Sequence, residues 1–315
     1  MSYDLAVIIV NYNVSDLLKN CLESVYASTG NISYKVCVVD NASLDQSVAM
    51  VQERFPQAHL IANSGNVGYP AANNQGMIAL GVHHDAADSS LIPRYVLLLN
   101  PDTELPADCL VEYVRWMDEN LTVGVVGPRL VLPDGSLDLA CRRSFPSPNV
   151  SMVHMLGLSR LFPKSPIFGR YNMTYLPEDQ LVEVDSVVGA FMLVRTIAID
   201  KVGMLDETFW MYGEDLDWAK RIKDAGWKII YNPARNVKHI KRASSRQNPK
   251  AQFEFNRAMI IFYYRHYRRE TSWPMHLLVM LGLAIKGGPK LWPELDGRKY
   301  LVDNTLLLGH PDKQS

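Results

Sequence analysis

Cysteine is scarce in this chain of 315 residues. The four cysteines, Cys21, Cys37, Cys109 and Cys141, are scattered, and none forms a Cys-x-x-Cys pair. Because zinc ribbons and disulfide frameworks need closely spaced cysteines, the sequence argues against both. We expect reduced thiols that are mostly buried.

Long hydrophobic runs and targeting signals are also missing. The longest apolar stretch, residues 277–285, is about half of the roughly 20 residues that a membrane-spanning helix needs. The chain has no basic segment before the apolar run 5–10, which is too short for a signal peptide. The sequence therefore predicts a cytoplasmic protein without a transmembrane segment.

Two phosphate-binding motifs are absent as well. No Gly-x-Gly-x-x-Gly follows a strand-like run, and no Gly-x-x-x-x-Gly-Lys-Ser/Thr occurs anywhere. This argues against dinucleotide oxidoreduction and P-loop phosphoryl transfer. The composition, 48% hydrophobic and 21% charged, is that of a globular protein.

The net charge of -1 hides a strong asymmetry. Residues 1–219 carry 13 basic and 26 acidic side chains, whereas residues 220–300 carry 18 basic and 5 acidic ones. We expect the first region to attract cations and the second to attract anions.

Strand-like and helix-like segments alternate over the first half of the chain, which predicts an α/β fold with a mostly parallel sheet flanked by helices. The predicted strands are 5–10, 35–39, 59–62 and 95–99, and the predicted helices are 15–26, 45–55 and 71–80. Farther on, we predict strands near 125 and at 187–194, a helix at 213–225 and a strand at 228–231.

Carboxylates cluster at two places in this pattern. Asp40, Asp102 and Glu104 follow predicted strands, and Glu214, Asp215 and Asp217 begin the predicted helix 213–225. Ligand groups gather at the carboxyl ends of strands in such sheets. Carboxylates without matching cations repel one another, so a divalent cation bound through oxygen is a natural partner.

Six short motifs follow one another along the chain. They are Val10-Asn11-Tyr12-Asn13, Val39-Asp40-Asn41-Ala42-Ser43, Asn66-Val67-Gly68-Tyr69, Leu99-Asn100-Pro101-Asp102, Gly189-Ala190-Phe191 and Tyr212-Gly213-Glu214-Asp215. This series resembles family 2 glycosyltransferases, and most of all their rhamnosyltransferase-like bacterial branch, over residues 5 to about 245. The resemblance implies a GT-A fold, a nucleotide-sugar donor, Mg²⁺ or Mn²⁺, and transfer with inversion at the anomeric carbon.

The resemblance also implies a donor site. Its residues would be Val10, Asn11, Tyr12, Asn13, Asp40, Asn41, Gly68, Asn73, Asn100 and Asp102. In the family, the carboxylate matching Asp40 accepts a hydrogen bond from the pyrimidine base. Structural alternatives stay open: a turn or helix cap for Asp40, loop chemistry for 11–13, and a helix start for 65–73.

The metal site implied by the resemblance uses Asp102 and His239. Asn100-Pro101-Asp102 stands where the family has its DxD motif, so Asn100 removes one charge and leaves Asp102 as the principal ligand. His239 matches a metal-ligating histidine of several members, although a structural role is its alternative. Glu104 is either an assisting ligand or a solvated loop acid. Arg242 and Ser244 would hold the leaving diphosphate.

Asp215 matches the family's catalytic base, which takes the proton of the acceptor hydroxyl, and Glu214 would support it. Acidic residues in a first helical turn also favour the helix dipole, and this suffices for Asp217.

We expect a GT-A domain over 1–245, with a donor half (1–122) and an acceptor half (123–245), and a basic, aromatic helical extension over 246–315. The extension predicts contact with an anionic membrane. Core packing and a homodimer interface are its alternatives, whereas the acidic first half argues against nucleic acid.

The predicted function is transfer of a sugar, L-rhamnose from dTDP-rhamnose, to a glycan or polyprenyl-linked acceptor in bacterial cell-surface polysaccharide synthesis. The alternatives are a sugar-phosphate nucleotidyltransferase and an inactive glycan- or membrane-binding scaffold of the same fold.

Overall fold

The computed structural model describes residues 3–82, 92–241 and 249–301. Within these ranges nine strands form one sheet. They are β1 (Leu5–Asn11), β2 (Tyr34–Asp40), β3 (His59–Ala62), β4 (Tyr95–Leu99), β5 (Thr103–Glu104), β6 (Val123–Val131), β7 (Val182–Glu183), β8 (Phe191–Arg195) and β9 (Lys228–His239). The order across the sheet is β3-β2-β1-β4-β8-β6-β9-β5, and β7 pairs with β9.

Helices connect these strands. They are α1 (Ser15–Tyr26), α2 (Ser47–Arg54), α3 (Tyr69–Ala79), α4 (Cys109–Glu119), α5 (Pro148–Met155), α6 (Leu158–Leu161), α7 (Thr196–Val202), α8 (Glu214–Asp224), α9 (Pro249–His266) and α10 (Trp273–Gly287). Short 3-10 segments span Leu139–Cys141, Pro289–Glu294 and Gly297–Tyr300.

The first four strands of the path, β3-β2-β1-β4, are mutually parallel, as the alternating pattern predicts. Strands β1 and β4 are buried along their whole length, because helices cover both faces of such a sheet. The register pairs Asn11 with Asp40 at the carboxyl ends of β1 and β2. The polar residues that follow the strands therefore meet at one edge of the sheet.

The second half of the sheet mixes orientations. β8 runs antiparallel to both β4 and β6, and β6 is parallel to β9.

Two predicted boundaries were wrong. β8 begins at Phe191 rather than at 187, and β9 continues to His239 instead of ending at 231. The β6–β9 register shifts between Gly127 and Arg129, so β9 bulges around Pro233, where the missing N–H costs no ladder bond.

The two long helices of the extension differ in their burial. α9 packs into the core through Ala258, Ile260, Ile261 and Phe262. Its basic residues also make internal contacts, because Arg257 pairs with Glu254 and Arg265 pairs with Asp206. In α10 only His276 and Leu283 are buried, and several large apolar side chains are exposed. Within the described ranges, no helix is both long and apolar enough to cross a membrane.

Candidate active site

A cleft of about 740 Å³, including its open side, lies at the carboxyl ends of β1, β2 and β4. Seven residues of the predicted donor site line it: Val10, Asn11, Tyr12, Asn41, Gly68, Asn100 and Asp102. The cleft also includes Tyr69, Trp210 and Met211. The structure thus brings together residues from four of the six sequence motifs and adds the 210–211 segment, which immediately precedes a fifth.

Three predicted donor-site residues, Asn13, Asp40 and Asn73, do not line the cleft. Asp40 is buried and accepts hydrogen bonds from Asn11 Nδ2 (2.8 Å) and from the backbone N–H of Ser43 (2.8 Å). The side-chain oxygen of Asn13 accepts from the backbone N–H of Leu44. Asn73 is buried and donates to the carbonyl of Tyr69. These contacts hold the loops that form the cleft, and a direct role in donor binding stays a prediction.

Gly68 begins α3 with a backbone conformation that side chains disfavour. Its φ is +92°, and a Cβ atom there would lie 2.6 Å from the carbonyl oxygen of Trp210. The next residue, Tyr69, donates its backbone N–H to this same oxygen at 2.8 Å. Only glycine allows this close approach, which ties the donor edge to the segment preceding α8.

Tyr69 lies between the two acidic groups. Its hydroxyl is 3.0 Å from Asn100 Oδ1 and 3.1 Å from the carbonyl oxygen of Gly189. Burial raises the pKa of Tyr69, and the charges of Glu214, Asp215 and Asp102 raise it further. Gly189 also donates its backbone N–H to Asp215, so Tyr69, which lines the cleft with Asp102, lies next to the residue that contacts the acids at the start of α8.

The pairing of β5 with β9 places His239 beside Asp102. His239 is opposite Thr103 in the ladder, and the backbone N–H of Ile240 bonds to the carbonyl of Asp102. The two side chains then approach to 3.4 Å between His239 Nε2 and Asp102 Oδ1. Within the described part of the chain, Asp102 Oδ1 is buried and has no hydrogen-bond partner.

The other ring nitrogen of His239 is held by a carboxylate. His239 Nδ1 lies 2.8 Å from Asp138 Oδ2, and Asp138 also pairs with Lys241. Burial lowers the pKa of His239, but Asp102 and Asp138 outweigh it and raise the pKa to about 9. A histidine oriented by a carboxylate on one nitrogen is a common arrangement at metal sites.

These residues fit a divalent cation with two protein ligands. The described residues contain no cluster of three or more histidine, cysteine or acidic side chains suited to a metal ion. Asp102 Oδ1 and His239 Nε2 do face each other, and phosphate oxygens would complete the coordination of a cation between them. Glu104 pairs instead with Lys238 at 2.9 Å, as expected for a surface acid.

Asp215 is held by several donors at the start of α8. Arg143 Nη2 donates to Asp215 Oδ2 at 2.6 Å, and the backbone N–H of Gly189 donates to the same oxygen at 3.2 Å. Both Arg143 and Asp215 are buried. The pair fixes the orientation of the carboxylate and keeps its charge compensated.

Glu214 is buried beside Asp215 but lacks such partners. Its Oε2 atom has no hydrogen-bond partner among the residues that the structure describes. Burial, followed by the charge of Asp215, raises the pKa of Glu214 to about 8. Asp217 differs from both, because it pairs with Arg221 and His266 inside the protein and serves packing.

Tyr69, Arg143 and Asp138 were not among the sequence-predicted site residues. Tyr69 lies within a quoted motif, so its position carried a signal. Arg143 and Asp138 carried none, because their partners are 72 and 101 residues away in the chain. The predicted diphosphate-binding residues Arg242 and Ser244 lie outside the described residues.

Solved structures share this architecture. GalNAc-T7 with UDP, GalNAc and Mn²⁺ superposes with a TM-score of 0.62 at 13% identity, covering 96% of this chain and 53% of that one. Mannosyltransferase PcManGT from Pyrobaculum calidifontis, in complex with GDP-Man and Mn²⁺, superposes with a TM-score of 0.55 at 16% identity, covering 91% of this chain and 73% of that one. The protein therefore has the GT-A fold of glycosyltransferases.

Sequence comparison defines the family. The profile described as glycosyl transferase family 2 matches residues 6–175, and that of glycosyl transferase family group 2 matches 95–285. N-acetylglucosaminyl-diphospho-decaprenol L-rhamnosyltransferase of Mycobacterium tuberculosis is 30% identical over 78% of each chain. Rhamnosyltransferase WbbL of Escherichia coli is 28% identical over 76% of this chain and 84% of its own. The chain belongs to glycosyl transferase family 2 and is a glycosyltransferase, as its motifs predict.

Proposed function

We propose that this protein transfers a sugar, L-rhamnose, from a dTDP-linked donor to a polyprenyl-diphosphate-linked saccharide, with inversion at the anomeric carbon. The observation that carries the proposal is the position of Tyr69, which lines the cleft together with Asp102 and bonds to Gly189, the residue whose backbone N–H donates to Asp215. A donor diphosphate near Asp102 would present its sugar toward Asp215.

In the proposed reaction the acceptor hydroxyl attacks the anomeric carbon from the face opposite the nucleotide. The new C–O bond forms as the bond to the diphosphate oxygen breaks, and the hydroxyl proton passes to Asp215. The bond from Arg143 to Asp215 Oδ2 supports this role, since it aims the carboxylate without covering every lone pair. Glu214 would bind the acceptor through its unpaired Oε2.

Asp102 and His239 are the residues that would hold Mg²⁺ or Mn²⁺. When bound, the cation offsets negative charge on the departing diphosphate. The fit is supported by Asp102 Oδ1, which is buried and faces His239 Nε2 at 3.4 Å, and by the Asp138 carboxylate that orients His239. Tyr69 holds Asn100 in place, so this neutral residue keeps its position without being a charged ligand.

The donor and acceptor classes are supported by the relatives. The Mycobacterium tuberculosis protein acts, by its name, on N-acetylglucosaminyl-diphospho-decaprenol, and its Escherichia coli relative is named a rhamnosyltransferase. An acceptor anchored in a bilayer would place the enzyme at the inner face of the cell membrane. The expected role is synthesis of a cell-surface polysaccharide.

A transfer assay tests the proposal. The purified protein would receive dTDP-rhamnose, UDP-sugars or GDP-sugars, a polyprenyl-diphosphate-linked N-acetylglucosamine and Mn²⁺, with mass spectrometry of the lipid product. We expect addition of one deoxyhexose only with dTDP-rhamnose and the cation. Transfer of a different sugar would correct the donor, and absence of any transfer across the panel would overturn the proposed activity.

A further inference from the structure

A second cavity lies outside the donor cleft, between α5, α9 and α10. It measures about 910 Å³ including its open side, a size usual for small-molecule sites. Its walls are mainly apolar, with Met152 and Met155 from α5, Phe255 and Met259 from α9, and Val279 and Leu283 from α10. None of the six sequence motifs contributes a residue to it.

The cavity has two polar features. Asn256 lines it and is 4% exposed, and its Oδ1 atom has no hydrogen-bond partner in the described segments. Lys286 lines the open side, and its ammonium lies 5.4 Å from the centre of the Phe255 ring. An apolar hollow with a cation at its rim suits an amphiphile that has a hydrocarbon chain and an anionic head.

The cavity adjoins the catalytic pair on two sides. Phe255 packs edge-on against Tyr212, which stands two residues before Glu214. On the other side, the cavity residue Tyr171 accepts a hydrogen bond from the backbone N–H of Ser144, the neighbour of Arg143. Arg143 is the residue that holds Asp215. A molecule in the cavity would thus lie next to the acceptor side of the donor cleft.

α10 presents two apolar faces, and only one belongs to the cavity. Val279, Leu283 and Lys286 line it, whereas Leu281 and Ile285 are 58% and 75% exposed and lie elsewhere on the helix. A flat surface, such as a bilayer or a second copy of the chain, would cover the exposed face. A single hydrocarbon chain is narrow enough to fit the concave face, which lines the cavity.

We propose that this cavity binds the isoprenoid tail of the lipid-linked acceptor, with Lys286 near its diphosphate. The inference rests on the proposed function, because it names the part of the acceptor that the donor cleft does not hold. The cavity would select for the tail through shape and apolar contact. A longer hydrocarbon chain removes more apolar surface from water, which stabilises the complex.

Binding of farnesyl diphosphate to the full chain tests the tail site directly. Titration calorimetry would compare it with inorganic diphosphate, both in the presence of saturating nucleoside diphosphate and Mn²⁺ to block the donor cleft. We expect farnesyl diphosphate to bind at least tenfold more tightly than inorganic diphosphate. Equal affinities would overturn the proposal, because the hydrocarbon chain would then contribute nothing.

Variants locate the site. Val279→Trp and, on the facing wall, Met152→Trp fill the cavity and should each weaken farnesyl diphosphate binding at least tenfold. The matched control Ile285→Ser changes the exposed face of α10 and should keep the affinity within twofold. Unchanged melting temperature and nucleotide binding identify folded variants. Loss of affinity in the control alone would assign the tail to the exposed face instead and overturn the cavity.

The transfer assay separates this inference from the proposed function. If the wild-type chain binds farnesyl diphosphate in the cavity but glycosylates no lipid-linked acceptor, the proposed function fails and the tail site stands. If it glycosylates long-tail and short-tail acceptors at the same kcat/KM, and Val279→Trp changes neither, the function stands and the tail site is wrong.

Discussion

Two acidic groups lie on either side of Tyr69, and they differ in how their carboxylates are paired. Asp102 and Asp138 enclose His239, and Lys241 adds a second cation. Of Glu214 and Asp215, Asp215 is the one that pairs with the buried Arg143. The pKa of His239 is raised to about 9, and the pKa of Glu214 is raised to about 8.

The two raised pKa values favour different charge states, a positive charge on His239 and a neutral Glu214. On the Asp102 side, carboxylates stabilise a positive charge, and a divalent cation would use the same stabilisation. On the Glu214 side, burial and a like charge favour a neutral acid beside a fixed carboxylate. In the proposed function, carboxylates would thus hold a cation on one side of Tyr69 and take a proton on the other.

The largest expected effect comes from Asp215→Asn, which removes the proposed base. We expect kcat to fall by about a thousandfold, within the range of general-base contributions. Nucleoside diphosphate binding should persist, because Asp215 does not line the donor cleft. Steady-state kinetics and calorimetry check the two statements. Turnover close to wild type would remove Asp215 from the role of base.

The same substitution also leaves Arg143 buried without its partner charge, and breaking a buried pair costs roughly 3–5 kcal/mol. A control must separate this loss of stability from loss of the base. In Arg143→Met/Asp215→Asn both charges are gone, so we expect denaturant stability to recover substantially while transfer stays absent. Recovery of transfer in the double variant would show that stability, and not proton transfer, explains the single variant.

The next effect in size concerns the other end of the cleft. Asp138→Asn should weaken Mn²⁺ binding about 10- to 100-fold in the presence of nucleoside diphosphate, because loss of the carboxylate releases His239. Calorimetry of Mn²⁺ measures this without turnover. Asp134→Asn is the matched control, since Asp134 is exposed on the turn before Asp138 and bonds only locally to Ser136. Equal Mn²⁺ affinities in the two variants would show that Asp138 does not orient His239 for metal binding.

The sequence predicts the elements around the site better than it predicts the partners of the site residues. The bounds of α1, β3 and β4 agree with their predictions, because continuous apolar strands and helical spacing are local signals. The polar residues at strand ends follow from parallel topology, so Asn11, Asn100 and Asp102 could be placed at one edge. The partners of His239 and Asp215 could not, since Asp138 and Arg143 are brought close only by the register of distant strands and loops.

The extension shows the same limit. Its helices follow from composition and spacing, but the sequence leaves core packing, membrane contact and dimerisation open. In the structure α9 packs into the core, and its Arg257 and Arg265 pair with acids of the protein. Its charge therefore contributes less to an external basic surface than the amino-acid count indicates.

A smaller effect is expected in the pH dependence of stability, and Glu214 supplies one part of it. Its pKa of about 8 in the folded protein exceeds the ordinary value of 4.5, so the folded state keeps a proton that the unfolded state releases. Its contribution to stability is therefore complete below pH 4.5 and is lost as the pH rises toward and through 8.

Glu214→Gln removes this dependence. Denaturant unfolding from pH 5 to pH 8 should show the wild-type protein losing more than about 1 kcal/mol relative to the variant, on the scale of one pKa unit. Glu53→Gln, an exposed position on α2, is the control and should follow the wild-type curve. Parallel curves for wild type and Glu214→Gln would mean that Glu214 ionises as an ordinary surface acid does.

The smallest effect should come from Glu104→Gln, which tests whether the cation side extends beyond Asp102 and His239. Glu104 pairs with Lys238 across β5 and β9, and both side chains are partly exposed, so the pair stabilises the fold by about 0–1 kcal/mol. We expect Mn²⁺ affinity within twofold of wild type and a melting temperature nearly unchanged. A tenfold loss of Mn²⁺ affinity would make Glu104 a third ligand. It would also mean that the cation draws Glu104 away from Lys238, so the arrangement of β5 would differ between the metal-free and metal-bound states.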